Sequence, residues 1–158
     1  MQEVSVVIPN FNGMAYLDGV LSSLERQTIR NFEVILVDNG STDGSCAFVS
    51  AEYPWVHMIQ LPENYGFSRA VNEGIRAARS PYVLLLNNDT EAEPDFLEEM
   101  VAALRRHKKA FSCQAKMIQL HDRDKMDDIF GMQYSISVEN QPYPVLCTLS
   151  PDGCTAHV

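Results

Sequence analysis

The chain has 158 residues and carries 12 Lys and Arg against 21 Asp and Glu, which gives a formal charge of −9 at neutral pH. This length suits one compact domain, and the acidic balance excludes duplex nucleic acid as a partner, since such a binder needs a basic face. No apolar run approaches the ~20 residues of a membrane-spanning helix, and the N-terminus reads into a strand instead of a leader peptide. We therefore expect a cytoplasmic protein without a transmembrane segment.

Strand-like and helix-like segments alternate along most of the chain. Short apolar, β-branched runs end in polar residues, and each is followed by apolar residues at helical spacing. This alternation is typical of an α/β fold with a mostly parallel sheet flanked by helices. The pattern predicts strands at 4–8, 32–37, 56–60, 82–86 and 110–120 and helices at 14–27, 67–78 and 94–106, with a further helix that is capped by Ser41 or Thr42 and runs to about Ala51.

Side chains rich in oxygen follow four of the predicted strands. Asp38 follows the second strand, for example, and Asn87-Asn88-Asp89 follows the fourth. Such residues also form ordinary turns. In a parallel sheet, however, right-handed crossovers place the loops after the strands at one edge, where ligands bind. Because four strand ends share this chemistry, the pattern favours a ligand cleft, and its carboxylate and amide oxygens suit a divalent cation with bound phosphates.

Common nucleotide-binding and catalytic motifs are missing. The chain contains no G-x-G-x-x-G after its first strand, no P-loop and no G-x-S-x-G elbow. Its four histidines have no metal-ligand spacing, and its four cysteines show no C-x-x-C pair. We interpret Cys46 and Cys113 as small buried residues. The candidate chemistry therefore rests on the Asn- and Asp-rich loops.

Four blocks of the chain resemble those of the inverting family 2 glycosyltransferases, in the same order and at similar spacing. They are VSVVIPNFN at 4–12, VILVDNGSTDG at 34–44, NYGFSRAVNEG at 64–74 and LNNDT at 86–90. The resemblance spans roughly residues 3–119. It implies a GT-A fold, which is Rossmann-like, and a nucleoside-diphosphate-sugar donor. It also implies a divalent metal, Mg or Mn, and transfer to an acceptor hydroxyl with inversion.

The resemblance assigns roles to individual residues. Asp38 would accept a hydrogen bond from the ring N–H of uracil or thymine, which suits a carboxylate because it is an acceptor only. Asp89 would hold the metal. The family often has an Arg at the position of Val71, and Arg69 would replace it near the diphosphate. The remaining assignments are Pro9, Asn10 and Asn12 lining the nucleoside pocket, Asn64 and Asn72 supporting it, and Asn87 or Asn88 reaching the ribose.

The pattern loosens after Leu120. Residues 121–128 form a charged run, 129–138 could hold a strand, and 139–158 are rich in Pro without periodicity. We predict a nucleotide-sugar-binding α/β core at 1–120, followed at 121–158 by an irregular tail or the start of the acceptor-binding half. The catalytic base of the family comes late in that half and no residue here matches it, so the catalytic residue is unknown and we expect a chain truncated before that half.

Two functional hypotheses follow from the resemblance. In the first, the protein transfers a sugar from a UDP- or dTDP-sugar to a saccharide or lipid-linked acceptor in cell-surface polysaccharide synthesis, with peripheral membrane contact possible. In the second, the chain is a catalytically incompetent nucleotide-sugar-binding or interaction module. Exposed strand edges make self-association possible in either case. A nucleotidyltransferase is a weaker third reading, because the first strand is not followed by a Gly-rich basic loop.

Overall fold

The computed structural model describes residues 2–115, 118–119, 122–126 and 136–138. Strands and helices alternate as predicted over the first four strand–helix pairs. The elements are β1 Val4–Asn10, α1 Met14–Glu25, β2 Phe32–Asp38, α2 Ser45–Glu52, β3 His57–Gln60, α3 Phe67–Ala77, β4 Tyr82–Leu85 and α4 Phe96–Arg106, followed by the short strands β5 Ile118–Gln119, β6 Asp122–Met126 and β7 Ile136–Val138.

The central sheet has the strand order β3-β2-β1-β4-β7. The first four of these strands are parallel, and β7 joins β4 in the antiparallel direction. A mostly parallel sheet flanked by helices is confirmed, and it is the GT-A architecture that the sequence predicted. Strands β5 and β6 form a separate antiparallel pair. Because the order reverses at β1, the crevice for a ligand is expected beside its carboxyl end.

Helices cover both faces of the sheet, as a parallel sheet requires. Alternate residues of β1 point to opposite faces, so Val4, Val6 and Ile8 enter the larger core, where apolar side chains of α1, α2 and α4 meet them. The other face carries a smaller core against α3. There Gly74 lies so close to the sheet that an added Cβ would press on the side chain of Val7. This close approach explains the small residues of α3.

The predicted strand at 110–120 is wrong for its first half. Residues 107–115 form turns and irregular chain, and β5 contains only Ile118 and Gln119 of the predicted segment. Cys113 is buried as predicted, but its thiol points to the carbonyl oxygen of Met100 in α4. An apolar run can thus be buried by packing on a helix without joining a sheet.

Two smaller differences concern the ends of elements. Helix α4 begins after Asp95, so Pro94 lies in the preceding turn and not in the first helical turn. Of the possible strand at 129–138, the structure describes only the last three residues, as β7, and the rest lies outside the described residues. In the part of the chain that the structure describes, no helix has the length and apolar character needed to cross a membrane.

Candidate functional site

The polar loops predicted to converge do meet at the carboxyl ends of the strands. Asn10 at the end of β1 lies opposite Asp38 at the end of β2, and Asp38 lies opposite Gln60 at the end of β3. On the other side of β1, the backbone N–H of Leu86 donates to the carbonyl of Val7, which brings the loop after β4 alongside. The sheet register therefore sets the positions of the site residues.

Asn10 connects three loops at this edge and is only 2% exposed. Its amide nitrogen donates to Asp38 Oδ1 at 2.9 Å and to Ser41 Oγ at 3.2 Å. Its amide oxygen accepts from Asn88 Nδ2 at 2.8 Å. Both ends of a buried amide are thus satisfied, as burial requires. Pro9 precedes it inside β1, buried opposite Val37.

Asp38 is a buried carboxylate that its neighbours keep ionised. Burial by itself raises its pKa, but hydrogen bonds from Ser41, Asn10 and Cys46 outweigh that effect and hold the pKa of Asp38 below its usual value of 3.8. The Cys46 thiol is half-buried instead of buried, and burial together with Asp38 raises its pKa to about 11. The thiol therefore acts as a hydrogen-bond donor at neutral pH and not as a nucleophile.

The predicted capping role of Ser41 and Thr42 is wrong, because these residues organise the site instead. The Ser41 hydroxyl accepts from the backbone N–H of Asn12 at 2.8 Å, in addition to its contact with Asn10. Asn12 Oδ1 in turn accepts from the backbone N–H of Thr42 at 2.9 Å. Asn12 adopts a left-handed φ of 50°, which Asn tolerates better than most residues. Its side chain therefore ties the β1 loop to the β2 loop.

The Asp43 carboxylate accepts hydrogen bonds from the first residues of two helices, a role that the sequence analysis missed. Its Oδ2 accepts from the backbone N–H of Met14, the first residue of α1, at 2.9 Å. Its Oδ1 accepts from both the backbone N–H and the hydroxyl of Ser45, the first residue of α2. Asp43 follows Asp38 in a D-x-x-x-x-D spacing, and this second acidic residue in the loop was the available sequence signal. A carboxylate is favourable at these two positive helix ends.

The loop after β3 is joined to the loop after β2 by Asn39, which was expected among the converging strand-end residues but was given no individual role. Its amide nitrogen donates to Asn64 Oδ1 at 2.8 Å, and its amide oxygen accepts from the backbone N–H of Tyr65 at 3.0 Å. Asn64 Oδ1 also accepts from the backbone N–H of Gly66. Asn64 thus supports the neighbouring loop.

Arg69 and Asn72 both lie on α3, but only Arg69 contacts a residue of the site loops. The Arg69 guanidinium stacks on the Tyr65 ring, 3.8 Å from its centroid. The backbone N–H of Tyr65 donates to Asn39, so the stacked guanidinium lies beside the loops after β2 and β3. Asn72 is exposed, and in the described part of the chain no hydrogen bond ties it to the other predicted site residues. Of the two residues, Arg69 therefore has a described contact with a site loop, and its place near the diphosphate stays a prediction.

Asp89 is exposed in the loop that follows β4, while Asn87 and Asn88 are partly buried. Thr90 Oγ1 donates to the carbonyl of Asn87 at 2.7 Å and tightens this turn. Among the described residues, no three His, Cys, Asp or Glu side chains form a metal-binding cluster. One exposed carboxylate with neighbouring amides fits a Mg²⁺ or Mn²⁺ ion whose other ligands are water and substrate phosphates, which is a common mode for Mg²⁺.

The chain at residues 92–97, after this loop, is anchored by buried polar side chains of α1 and of the residues that follow α1. Gln27 is fully buried, its Nε2 donates to the carbonyl of Glu93 at 2.8 Å, and its Oε1 accepts from the backbone N–H of Leu97 at 2.9 Å. Ser23 Oγ accepts from the backbone N–H of Ala92. No motif in the sequence marks Gln27, because its partners are backbone groups about 70 residues away.

Large apolar side chains are exposed around the loops at this edge. Phe11 is 47% exposed between Asn10 and Asn12, and Phe67 is 57% exposed at the first position of α3. Met14 and Tyr16 are exposed at the start of α1. Aromatic rings next to polar recognition groups are typical of small-molecule sites. The alternation of Phe11 with Asn10 and Asn12 was a sequence signal that this ring lies in the loop and not in the core.

The family resemblance is confirmed by comparison with known proteins. The sequence model of "Glycosyl transferase family 2" matches residues 5–142. TuaG of Bacillus subtilis (strain 168), provisionally named a teichuronic acid biosynthesis glycosyltransferase, is 27% identical over 141 residues. The matched region covers 87% of this chain and 56% of TuaG. The chain therefore spans little more than half the length of this relative.

Solved structures agree with the fold. S. aureus TarS 1-349 in complex with UDP-GlcNAc matches with a TM-score of 0.67 and 26% identity, over 73% of this chain and 34% of that chain. The mannosyltransferase PcManGT from Pyrobaculum calidifontis, solved with GDP-Man and Mn²⁺, matches with a TM-score of 0.65 and 22% identity, over 77% of this chain and 37% of that chain. The second likeness shows the shared fold alone.

Proposed function

We propose, on the premise that this chain belongs to glycosyl transferase family 2, that it binds a UDP- or dTDP-sugar at the loop edge of its sheet. The bound sugar is transferred to an acceptor hydroxyl with inversion, in cell-surface polysaccharide synthesis. The observation that carries the proposal is the hydrogen-bonded line from Asp38 through Asn10 to Asn88, next to Asp89. It joins a carboxylate suited to a base with a carboxylate suited to a metal.

Asp38 supports the choice of base. An ionised carboxylate offers about four acceptor positions and no donor. Four hydrogen bonds reach Asp38 in this structure, from the Asn10 amide, the hydroxyl and backbone N–H of Ser41, and the Cys46 thiol, so a ligand N–H would take the place of one of them, the weak thiol donor first. Uracil, thymine and guanine present such a ring N–H, whereas cytosine and adenine present a ring acceptor that a carboxylate would repel. The UDP-GlcNAc bound to TarS is consistent with a uridine donor.

The position of Asp43 limits where the diphosphate can bind. Helix N-termini commonly bind phosphate, but those of α1 and α2 are already occupied by this carboxylate. The diphosphate therefore needs other positive charge, for which Arg69 and a cation held by Asp89 are the candidates. When bound, Mg²⁺ or Mn²⁺ would neutralise the charge that develops on the leaving diphosphate. The stacking of Arg69 on Tyr65 would keep its guanidinium oriented towards the same group.

The acceptor side of the proposal rests on the relatives. The name of TuaG supports a polysaccharide product, and a saccharide or lipid-linked acceptor would suit that pathway. Inversion requires a base that deprotonates the attacking hydroxyl within hydrogen-bond distance. No residue in the described part of the chain is assigned this role. Cytoplasmic location, peripheral membrane contact and self-association also stay predictions.

Calorimetry with UDP, CDP and Mn²⁺ tests donor binding. Asp38→Asn should weaken UDP binding about 30-fold, because a neutral amide replaces the carboxylate and a charge-assisted bond of about 2 kcal/mol is lost. Asp89→Asn should instead remove the gain in UDP affinity that Mn²⁺ provides. Asp95→Asn is the control, since Asp95 is exposed and makes no capping hydrogen bond. Equal affinity of the wild type for UDP and CDP would contradict the proposed base recognition.

A second candidate function is nucleotide-sugar binding without catalysis. It is favoured by the lack of an assigned base in the described residues. Incubation with UDP-GlcNAc, UDP-glucose and dTDP-glucose, followed by measurement of released nucleotide, separates the two. Release above a protein-free blank, and its loss in Asp89→Asn, would rule out the binding-only function. Tight UDP binding without release would support it.

A further inference from the structure

The side chains of Asn10 and Asn88 form a direct bridge between the two loops proposed to hold opposite ends of the donor. Asn88 Nδ2 donates to Asn10 Oδ1 at 2.8 Å, and the same Asn10 donates to Asp38 at 2.9 Å. Asn10 is 2% exposed, so the bridge is shielded from water on the Asn10 side. A shielded hydrogen bond with both partners satisfied is costly to break, because the freed groups would stay desolvated.

Gly13 packs directly against this bridge. A Cβ added to Gly13 would overlap both Asn88 Nδ2 and Asn10 Oδ1, the two atoms that form the hydrogen bond. Gly13 has φ −102° and ψ 20°, a backbone conformation that other residues adopt. Glycine is therefore required here by the space that the bridge occupies and not by the backbone. The Asn10–Asn88 amide pair and the absence of a Cβ at Gly13 therefore both contribute to this hydrogen bond.

We propose that the Asn10–Asn88 bridge sets the spacing between the base-recognising carboxylate of Asp38 and the metal-binding carboxylate of Asp89. Asn88 is then a positioning residue that acts through Asn10, and the bridge uses one of the two N–H groups of its amide. This inference rests on the proposed function, since it assigns the two carboxylates to two ends of one donor. It concerns a feature of this chain that the donor assignment alone does not require.

The physical reason lies in how a ligand gains affinity from two contacts. A nucleoside diphosphate with its cation gains from both carboxylates only when they are already at the right separation, because ordering a loop on binding consumes part of the interaction energy. Small misplacements of a reacting or coordinating group have large effects on such contacts. A ligand that contacts only the loops after β1 and β2 depends on the bridge less, through its effect on Asn10 alone. The bridge should therefore affect UDP with Mn²⁺ far more than UMP without metal.

Three variants of the full chain test the proposal by calorimetry. Asn88→Ala removes the donor of the bridge, and Gly13→Ala wedges it apart while keeping both amides. Gly19→Ala is the matched control in α1, the helix that Gly13 precedes, because a Cβ there meets only the flexible end of Glu91. Each variant is titrated with UMP in the absence of metal and with UDP in the presence of Mn²⁺, after its thermal unfolding has shown that it is folded.

Both bridge variants should lose at least about tenfold more affinity for UDP with Mn²⁺ than for UMP without metal. The difference between the two ligands is the measured quantity, because any effect on the nucleoside pocket through Asn10 or Asn88 is common to both. Gly19→Ala should match the wild type for both ligands. If the bridge variants keep the wild-type gain with Mn²⁺, or lose UMP and UDP binding equally, the positioning role is overturned while the proposed donor site stands. Agreement between the two variants guards against a folding defect particular to one of them.

If the wild type binds neither UDP nor UMP, the proposed function fails, and hydrogen exchange then decides the bridge separately. Backbone amides of residues 87–90 should exchange faster in Gly13→Ala and Asn88→Ala than in the wild type and Gly19→Ala. Unchanged exchange would overturn the claim that the bridge holds this loop. Failure of the proposed function and failure of the bridge proposal thus give different experimental results.

Discussion

The loops after β1 and β2 differ from the loop after β4 in how their side chains are held. The ends of β1 and β2 with the loops that follow them are called the base-side wall, and there Asn10, Asp38 and Asn39 are each less than 5% exposed. Asn10 donates to Asp38, and the backbone N–H of Asn39 donates to the carbonyl of Asn10. In the loop after β4, the metal-side wall, Asp89 is exposed. The base-side wall is thus ordered before any ligand arrives.

This difference suits the chemistry proposed for each wall. A base must be recognised by the direction of one N–H, which needs acceptors fixed in advance. A cation instead brings its own water ligands and phosphates, so one exposed carboxylate can complete its coordination after it enters. The metal-side wall is held on one side by the bridge to Asn10 and from behind by Ser23 and Gln27 of the α1 segment. The predictions below disturb one wall at a time.

The largest effect is expected when the rear anchor of the metal-side wall is removed. Gln27→Ala should lower the free energy of unfolding by about 3 kcal/mol, because the backbone N–H of Leu97 and the carbonyl of Glu93 lose a buried partner. Urea titration followed by circular dichroism measures this change. Gln60→Ala, at an exposed position, should change it by less than about 0.5 kcal/mol. Equal effects of the two variants would show that Gln27 anchors nothing.

A somewhat smaller loss is expected in the loop after β3, which Asn39 joins to the base-side wall. Gly66 has φ 85° and ψ 162°, a region of backbone space that is essentially restricted to glycine. Gly66→Ala should destabilise the protein by about 2 kcal/mol, although nothing lies within 4 Å of the added Cβ. UMP binding should weaken as well, because the Gly66 carbonyl accepts from Asn39. A variant as stable as the wild type would mean that this loop adopts another conformation at no cost.

The third effect depends on pH and concerns only the base-side wall. The pKa of Asp38 is lowered in the folded protein, so its ionisation stabilises the fold above the ordinary pKa of 3.8 and that contribution is lost as the pH falls through the folded pKa. The difference in unfolding free energy between the wild type and Asp38→Asn should therefore shrink as the pH falls from about 6 to about 3. A difference that stays constant across this range would contradict the ionised state.

The smallest effect is expected from the turn of the metal-side wall. Thr90→Ala removes the hydroxyl that donates to the Asn87 carbonyl and should cost about 1 kcal/mol. Thr90→Ser keeps this donor and serves as its control. The affinity of the chain for UDP without metal should be unchanged in both. A loss of metal-free UDP binding in Thr90→Ala would show that the two walls are not separable in this way.

Much of the fold was predictable because its signals are local. The first four strands and four helices follow from apolar periodicity and from polar residues at the strand ends, each read within about ten residues. The failure at 110–120 has the complementary cause. The same apolar residues can be buried in a strand or against a helix, and Cys113 is buried against α4. Burial alone does not specify strand pairing.

The candidate site was predictable in its location but not in its connections. Residues such as Asn10, Asp38 and Asn64 were named from the strand ends, and the structure brings their loops together. The roles of Asn39, Asp43 and Gln27 were missed because each acts through backbone groups or amides supplied by other loops. Turn-forming residues look alike in sequence whether they close a turn or hold a neighbouring loop.

The sequence by itself determined that this is a parallel α/β protein of glycosyl transferase family 2 whose Asn- and Asp-rich loops share one edge. Only the tertiary structure decided that Asn10 carries contacts to both walls and that Gly13 leaves room for its bridge to Asn88. The physical reason is range. Periodicity and turn chemistry act between neighbours in the chain, whereas the bridge joins side chains 78 positions apart that only the sheet register brings together.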